Sequence, residues 1–447
     1  MPSHPLITPY TRPADEVRRL VHLGWPVILG QIGLVGMGTV DMLVVGRLGS
    51  GPLAALGIGN VLSWAVLSLG IGCALGLDPF FTRAYGRQAP QEAGVAFVRG
   101  AWIMALLALP MMAWHASAGP LLTLFGQPPE IHADAALYVG ILAWRVPPLL
   151  VFALTRQLVQ GNGIMRPATW VILFGNLANL ITDLWWVYGG LGVPALGVAG
   201  AAWSTLLVQW LMAGILVYWV REPLREALAG VSWRPVWPDI HRTARTALPA
   251  ALQIGVEAWA FNAVSVLAGL FGSVALAAHT LAFNVVALTF MVPLGLSSGA
   301  TTRVGNLVGA SQPWRSSGWT SVILCTVFMG FTATLYTLFP TFIAELYTDD
   351  QTVIVVVVSL LPLAALFQVF DGIQVATASV LRGVGDTKTA MQINVVAHWC
   401  VGIPVGAYLG FSLDWGLTGL WCGITLGLAV TAALLTRAVM RADVVEL

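Results

Sequence analysis

The chain has 447 residues, of which 57% are hydrophobic and only 9% charged, with a mean hydropathy of +0.82 and a formal net charge of +1. Soluble domains carry about 25% charged residues, so these figures exclude a water-soluble globule, and a balance so close to neutral leaves no footprint for nucleic acid. With 48 glycines and 25 prolines, both common in membrane helices, the composition points to a polytopic α-helical membrane protein.

The first twenty residues, MPSHPLITPYTRPADEVRRL, are polar and basic. A long apolar span follows without a small-residue cleavage site, so no removable signal peptide is expected. Apolar segments long enough to cross a bilayer, which takes roughly 20 residues, lie near 20–45, 53–77, 95–117, 135–160, 168–188 and 197–219. A polar linker occupies 221–245, and six more spans follow near 246–271, 276–301, 318–341, 353–380, 390–411 and 416–438. The reading is twelve transmembrane helices: an N-terminal six-helix bundle (1–220), a cytoplasmic linker (221–245) and a C-terminal six-helix bundle (246–447). Cys73, Cys325, Cys400 and Cys422 sit in apolar segments without metal-like spacing, so neither a disulfide framework nor a zinc site is expected.

The two sets of spans resemble each other. Pro26 and Pro249 stand 223 apart, and at that offset GSGPLAAL (49–56) lies over GSVALAAH (272–279). Thr82-Arg83 is echoed by Thr302-Arg303, Gly161-x-Gly163 by Gly383-x-Gly385, and GVAGAAW (197–203) by GLTGLWC (416–422). Each pair is weak, but five in order at nearly constant offset indicate a repeat. An even number of spans per repeat sets both halves the same way up, related by a pseudo-twofold along the membrane normal. Charge agrees with the count. Of the 21 Lys and Arg, only Arg47 falls on the loops opposite the termini, and Arg145 and Arg156 interrupt a span. By the positive-inside rule both termini are cytoplasmic.

Few acids lie deep in the spans. Asp41 is in the first, in GMGTVD. Asp183 is in the fifth, in NLANLITD, with Asn179 and Asn176 on the preceding turns. In the seventh, Glu257 shares a face with Gln253 and Phe261, each four residues away. Asp371 is in the tenth, flanked by Gln368 and Gln374. A carboxylate at bilayer depth costs from ~2.5 to more than ~10 kcal/mol, so each should face a wet cavity, take a proton or hold a cation. Carboxylates beside Asn or Thr oxygens suit a dehydrated Na⁺ by the logic of hard cations, and burial equally favours the protonated acid. Asp386, in GVGDTK, reads as a helix N-cap. Arg156 can snorkel. The deeper Arg145 pairs with an acid or carbonyl oxygens or, if it faces a cavity, favours an anionic ligand. The structural alternative for the amides and acids is hydrogen bonding to neighbouring helices. No HExxH, GxSxG or metal-spaced His cluster occurs in the spans, so an enzyme is not expected.

With these residues laid out, the chain resembles the multidrug and toxic compound extrusion (MATE) family, NorM-like branch, along nearly its whole length. The matching runs are GMGTVDMLVVGRLG (36–49), GLDPFFTRAYG (76–86), NLITD (179–183), GVAGAAWST (197–205), LPAALQIGVEAW (248–259), LAAHTLAFNV (276–285) and FDGIQVATASVLRGVGDTK (370–388). The resemblance implies two six-helix bundles around a V-shaped cavity and export of cationic or amphipathic compounds driven by Na⁺ or H⁺ influx, with no cofactor. Asp41, Asn179, Asp183 and Thr205 match the family's N-terminal cation site, and Glu257 and Asp371 the C-terminal acidic pair. Na⁺ or H⁺ would couple at either set. Phe367 stands where the family often has Tyr, which removes a hydroxyl from that site. Gln253, Phe261, Asn284, Phe367 and Gln374 are the candidate cavity lining. The expected setting is the bacterial inner membrane, with the lipid bilayer and small organic cations as partners and the protein a monomer. A flippase or exporter of a lipid-linked or anionic substrate is the competing reading, for which Arg145 and Arg156 are the only basic candidates.

Overall fold

The computed structural model describes residues 6–10, 12–190 and 192–446. Among them are twelve helices long and apolar enough to cross a membrane, the number expected from hydropathy and charge. They are α1 (Pro13–Gly46), α2 (Ser50–Gly86), α3 (Pro90–Ala116), α4 (Pro129–Gly161), α5 (Arg166–Tyr188) and α6 (Val198–Trp219). The second set is α7 (Trp237–Gly269), α8 (Ser273–Gly309), α9 (Arg315–Leu338), α10 (Gln351–Gly383), α11 (Thr387–Ser412) and α12 (Gly416–Arg441). The predicted polar linker is largely helical. A short helix runs over Arg221–Leu228, and α7 begins at Trp237, inside the stretch read as linker. Pro238 sits where a proline's missing N–H costs nothing, in the first turn.

By packing, the described residues form two compact units. One is Leu29–Ala251; the other takes the residues up to Ile28 and those from Leu252 onward. α1 and α7 each run through one such boundary. The core of the first unit packs Leu77, Phe81, Leu150, Leu154 and Leu158 with Ala247 and Ala251 of α7. There, Gly76 sits at the turn that divides α2, and a Cβ on it would meet the backbone of Ala247. In the other unit α10 packs against α8, α9 and α12, burying Val357, Leu361, Phe367, Trp421 and Leu428. The exposed apolar residues, among them Leu109, Val266, Ile323 and Val355, form a surface suited to lipid rather than water.

Two spans depart from simple helices. α4 passes through a 3₁₀ segment at Ala143–Arg145, just before Pro147 and Pro148. Those prolines leave the carbonyls of Ala143 and Trp144 without their usual i+4 donors. α11 contains two π segments, Val396–Gly402 and Tyr408–Ser412, where it lies backbone-to-backbone on α12. Asp386 caps α11 as expected, its carboxylate accepting from the Thr389 N–H at 3.0 Å.

Candidate functional site

In the Leu29–Ala251 unit, Asp41 of α1, Asn179 and Asp183 of α5 and Thr205 of α6 come together, all buried. Periodicity explains the α5 contribution, because positions 179 and 183 are one turn apart and share a face. The Thr205 hydroxyl donates to Asp41 Oδ2 at 3.2 Å, and the Asp183 and Asn179 side chains lie against Asp41. Asn179 Nδ2 donates to Ser204 Oγ at 3.2 Å, and Ser204 also bonds Thr182. Among the described residues no hydrogen-bond donor reaches Asp41 Oδ1, Asn179 Oδ1 or either oxygen of Asp183. Four buried acceptor oxygens in one cluster therefore lack hydrogen-bond donors, and two of the side chains are carboxyls. Ser204 and Thr182 escaped the sequence reading, since hydroxyls one turn from a predicted site carry no pattern of their own. Asn176 takes the structural course instead, its amide donating to the Ile172 carbonyl of its own helix at 2.9 Å.

The other unit brings Glu257 of α7 together with Asp371 and Gln374 of α10. Gln374 lies against Glu257, and Asp371 is within electrostatic reach of it. Asp371 Oδ1 and Gln374 Oε1 are buried without a donor. Gln368, on the same helix, is spent on structure: its Nε2 donates to Thr332 Oγ1 at 2.8 Å and its Oε1 accepts from Thr289 at 3.1 Å. Of the remaining candidates, Gln253 is buried, while Asn284 is exposed and its amide donates to the Thr280 carbonyl.

Phe261 and Phe367 belong to a closed circuit of rings. Phe261 neighbours Phe283 at 5.5 Å between centroids, Phe283 neighbours His279 at 5.8 Å, and His279 neighbours Trp421 at 5.8 Å. Trp421 lies 5.6 Å from Phe367, which returns to Phe261 at 6.0 Å. Phe367 is 1% exposed and packs as core. His398 sits edge-on to Phe261, and its Nδ1 pairs with the Asn394 carbonyl. A carbonyl only accepts, so the proton is on Nδ1, and Nε2 is a bare acceptor without a partner. Scattered along the sequence, His279 and His398 gave no signal; the fold gathers them.

Arg145, on the 3₁₀ segment of α4, makes no hydrogen bond or ion pair among the described residues. Its Nε is buried and unpartnered, the residue as a whole is half-buried, and Tyr138 and Asp41 act on it electrostatically. The expected pairing with an acid or carbonyl oxygens is not formed among the described residues. At the start of α1 the situation is the reverse. Glu16 and Arg303 of α8, both 0% exposed, form a two-pronged ion pair at 2.8 and 3.0 Å.

Twelve apolar helices, an internal repeat and acids gathered inside each unit define a membrane transporter rather than an enzyme. Residues 26–185 and 249–408 each match the MatE family, and the chain belongs to it. The two matched stretches begin 223 residues apart (249 − 26) and end 223 apart (408 − 185), the offset found in the sequence. The chain is NorM-like: it is 34% identical over 446 residues to the probable multidrug resistance protein NorM of Mesorhizobium japonicum, covering 96% of this chain and 94% of that one. To the multidrug resistance protein NorM of Aliivibrio fischeri it is 32% identical, covering 94% of both. The fold superposes on the eukaryotic MATE transporter AtDTX14 with a TM-score of 0.88 at 22% identity, covering 96% of this chain and 97% of that one.

Proposed function

We propose that this protein is a secondary-active multidrug efflux antiporter that exports cationic and amphipathic organic compounds in exchange for Na⁺ or H⁺. The observation that carries the reading is the pair of acid clusters, one in each unit, with buried oxygens that have no hydrogen-bond donor among the described residues. Unsatisfied buried polar atoms cost several kcal/mol in apolar surroundings, and a proton or a cation offsets that cost. Asp41, Asn179, Asp183 and Thr205 offer the hard oxygens and the compensating charge that a dehydrated Na⁺ requires; Glu257 and Asp371 offer a second acidic site. An acid that binds either an inward-moving ion or an outward-moving organic cation couples the two by competition. The relatives' names as multidrug resistance proteins support drugs as cargo. In this reading the halves 1–220 and 246–447 are the moving bodies of alternating access, in a monomer of the bacterial inner membrane with cytoplasmic termini.

The unpaired Arg145 favours a second reading, transport of an anionic or lipid-linked substrate. Purified protein in liposomes separates them, with a Na⁺ and then a pH gradient imposed alone. Gradient-driven accumulation of a fluorescent organic cation is expected. Translocation of a labelled anionic lipid without movement of the cation would overturn the exporter reading.

A further inference from the structure

The last turn of α6 and the short helix Arg221–Leu228 form a corner at the edge of an apolar span, with charges that belong to neither acid cluster. Exposed apolar side chains run along α6 at every fourth position, Leu207, Leu211, Ile215 and Trp219. At 1.5 Å per residue the stripe is about 18 Å long, close to half of the ~30 Å hydrocarbon core and so to the depth of one leaflet. It ends in a groove of about 470 Å³ lined by Ile215, Tyr218, Trp219, Arg221 and Glu222. Tyrosine and tryptophan at the end of a span mark the membrane–water boundary.

The charges in the groove are held in place. Arg221 folds back over the Tyr218 ring, 4.4 Å from its centroid, and its Nη1 donates to the Tyr218 carbonyl at 3.4 Å. Its Nε lies 3.6 Å from Glu222 Oε1, the oxygen that Arg225 Nη1 also reaches, at 3.4 Å. The helix that carries them is seated by its other face, where Ala227 is buried and Leu224 and Leu228 pack on the core of the Leu29–Ala251 unit. One hydrogen bond and one ion-pair contact occupy Arg221 among the described residues, and a guanidinium has five N–H donors. Glu222 Oε2 accepts no hydrogen bond among them. Ion pairs between groups as exposed as these are weak, so a ligand bearing both a phosphate and an N–H cation finds open donors and an open acceptor side by side.

We propose that this corner binds phosphatidylethanolamine, with an acyl chain along Leu207, Leu211 and Ile215, the phosphate on Arg221 and Arg225, and the primary ammonium on Glu222. The charges choose the headgroup. A purely anionic lipid satisfies the arginines but meets Glu222 as a like charge. Phosphatidylcholine carries the same two charges, yet its trimethylammonium has no N–H to donate. A lipid held here stands apart from the traffic of ions and cargo, so the site does not depend on the exporter reading.

Native mass spectrometry tests it on the full-length protein, purified in detergent and stripped of lipid. Titration with phosphatidylethanolamine, phosphatidylcholine and phosphatidylglycerol of the same acyl chains measures the affinity of the first lipid to return. The wild type is expected to bind phosphatidylethanolamine with a Kd about tenfold below that for phosphatidylcholine, as one charge-assisted hydrogen bond supplies, and to bind phosphatidylglycerol more weakly than phosphatidylethanolamine. In Glu222→Gln the preference for the primary ammonium should collapse with phosphatidylcholine binding kept, whereas Arg221→Gln should weaken both lipids together. Equal affinities for the two zwitterionic lipids in the wild type, or phosphatidylglycerol bound tightest, overturn the proposal. A preference that survives Glu222→Gln intact also overturns it, by placing the ammonium elsewhere. The wild-type ratio decides even if a variant fails to fold.

Discussion

The same side-chain types do opposite work a turn or two apart, and what separates them is the neighbours each helix supplies. Gln368 and Gln374 are both buried on α10. The first has its amide satisfied on both sides by Thr332 and Thr289, whereas the second leaves Oε1 without a donor beside Glu257. Asn176 and Asn179 divide in the same way on α5. This gives contrasting expectations for pairs of conservative changes. Asp183→Asn removes a buried acid whose oxygens have no hydrogen-bond donor among the described residues, so gradient-driven uptake should fall tenfold or more while thermal stability in detergent holds or rises, because a side chain that can carry a charge is replaced by one that cannot. Gln368→Leu takes one hydrogen bond from each of Thr332 and Thr289, whose hydroxyls keep backbone partners, and should lower stability by about 1–3 kcal/mol, with uptake falling only in proportion to folded protein. Loss of stability in the first, or loss of specific activity in the second, would reverse the assignments. The acids themselves were legible in the sequence, since a charge in an apolar run announces itself. Which amides serve a site and which serve packing was not, because that depends on residues tens of positions away.

The helices were legible to the extent that hydropathy controls them. All twelve spans stand where the apolar runs lie, and the Asp386 cap is formed as its local sequence implies. Their interruptions follow finer signals. The 3₁₀ segment of α4 has a local cause, Pro147-Pro148, that a hydropathy window averages away. The pairing of α11 with α12 was written in glycines: Gly402, Gly406 and Gly410 on one helix, Gly419, Gly423 and Gly427 on the other, each set at a spacing of four. A Cβ at Gly423 would collide with the backbone of Gly406 and Gly402, and one at Gly419 with Gly410. In a bilayer, where apolar burial gives helices little reason to associate, such close approach supplies the dispersion contacts that hold them. The π segments of α11 fall in this stretch, and their register has no signature in composition. Gly423→Leu should therefore separate α11 from α12, lowering the melting temperature through a destabilisation well beyond the ~1–3 kcal/mol of ordinary overpacking, because backbone and not a movable side chain opposes it. Gly330→Leu, on α9 where a Cβ meets nothing within 4 Å, should be silent. Comparable melting of the two variants would show that the glycine stripe is incidental.

At the scale of the whole chain, the repeat at an offset of 223 accounts for the twofold family match, yet the packing units do not divide where the sequence does. The residues up to Ile28 pack with those from Leu252 onward, and the start of α7 packs within Leu29–Ala251, so each unit is completed by a piece that precedes the other half's spans. Hydropathy and charge cannot express this, because the decisive contact joins residues 287 positions apart. That contact is the Glu16–Arg303 pair. Arg303 also donates to the carbonyls of Leu6 and Thr8, which fastens the chain ahead of α1 to α8. With both side chains fully buried, the pair is costly to form and far more costly to halve: removing one partner of such a pair typically loses 3–5 kcal/mol by stranding the other charge. Glu16→Leu and Arg303→Met are therefore each expected to destabilise the purified protein strongly. The double change Glu16→Leu with Arg303→Met should recover much of the loss, since a hydrophobic pair of similar volume carries no stranded charge. Thermal unfolding of the three variants measures this directly. Additive losses in the double variant would mean that the two residues act independently and that the segment before α1 is held by its carbonyl contacts alone.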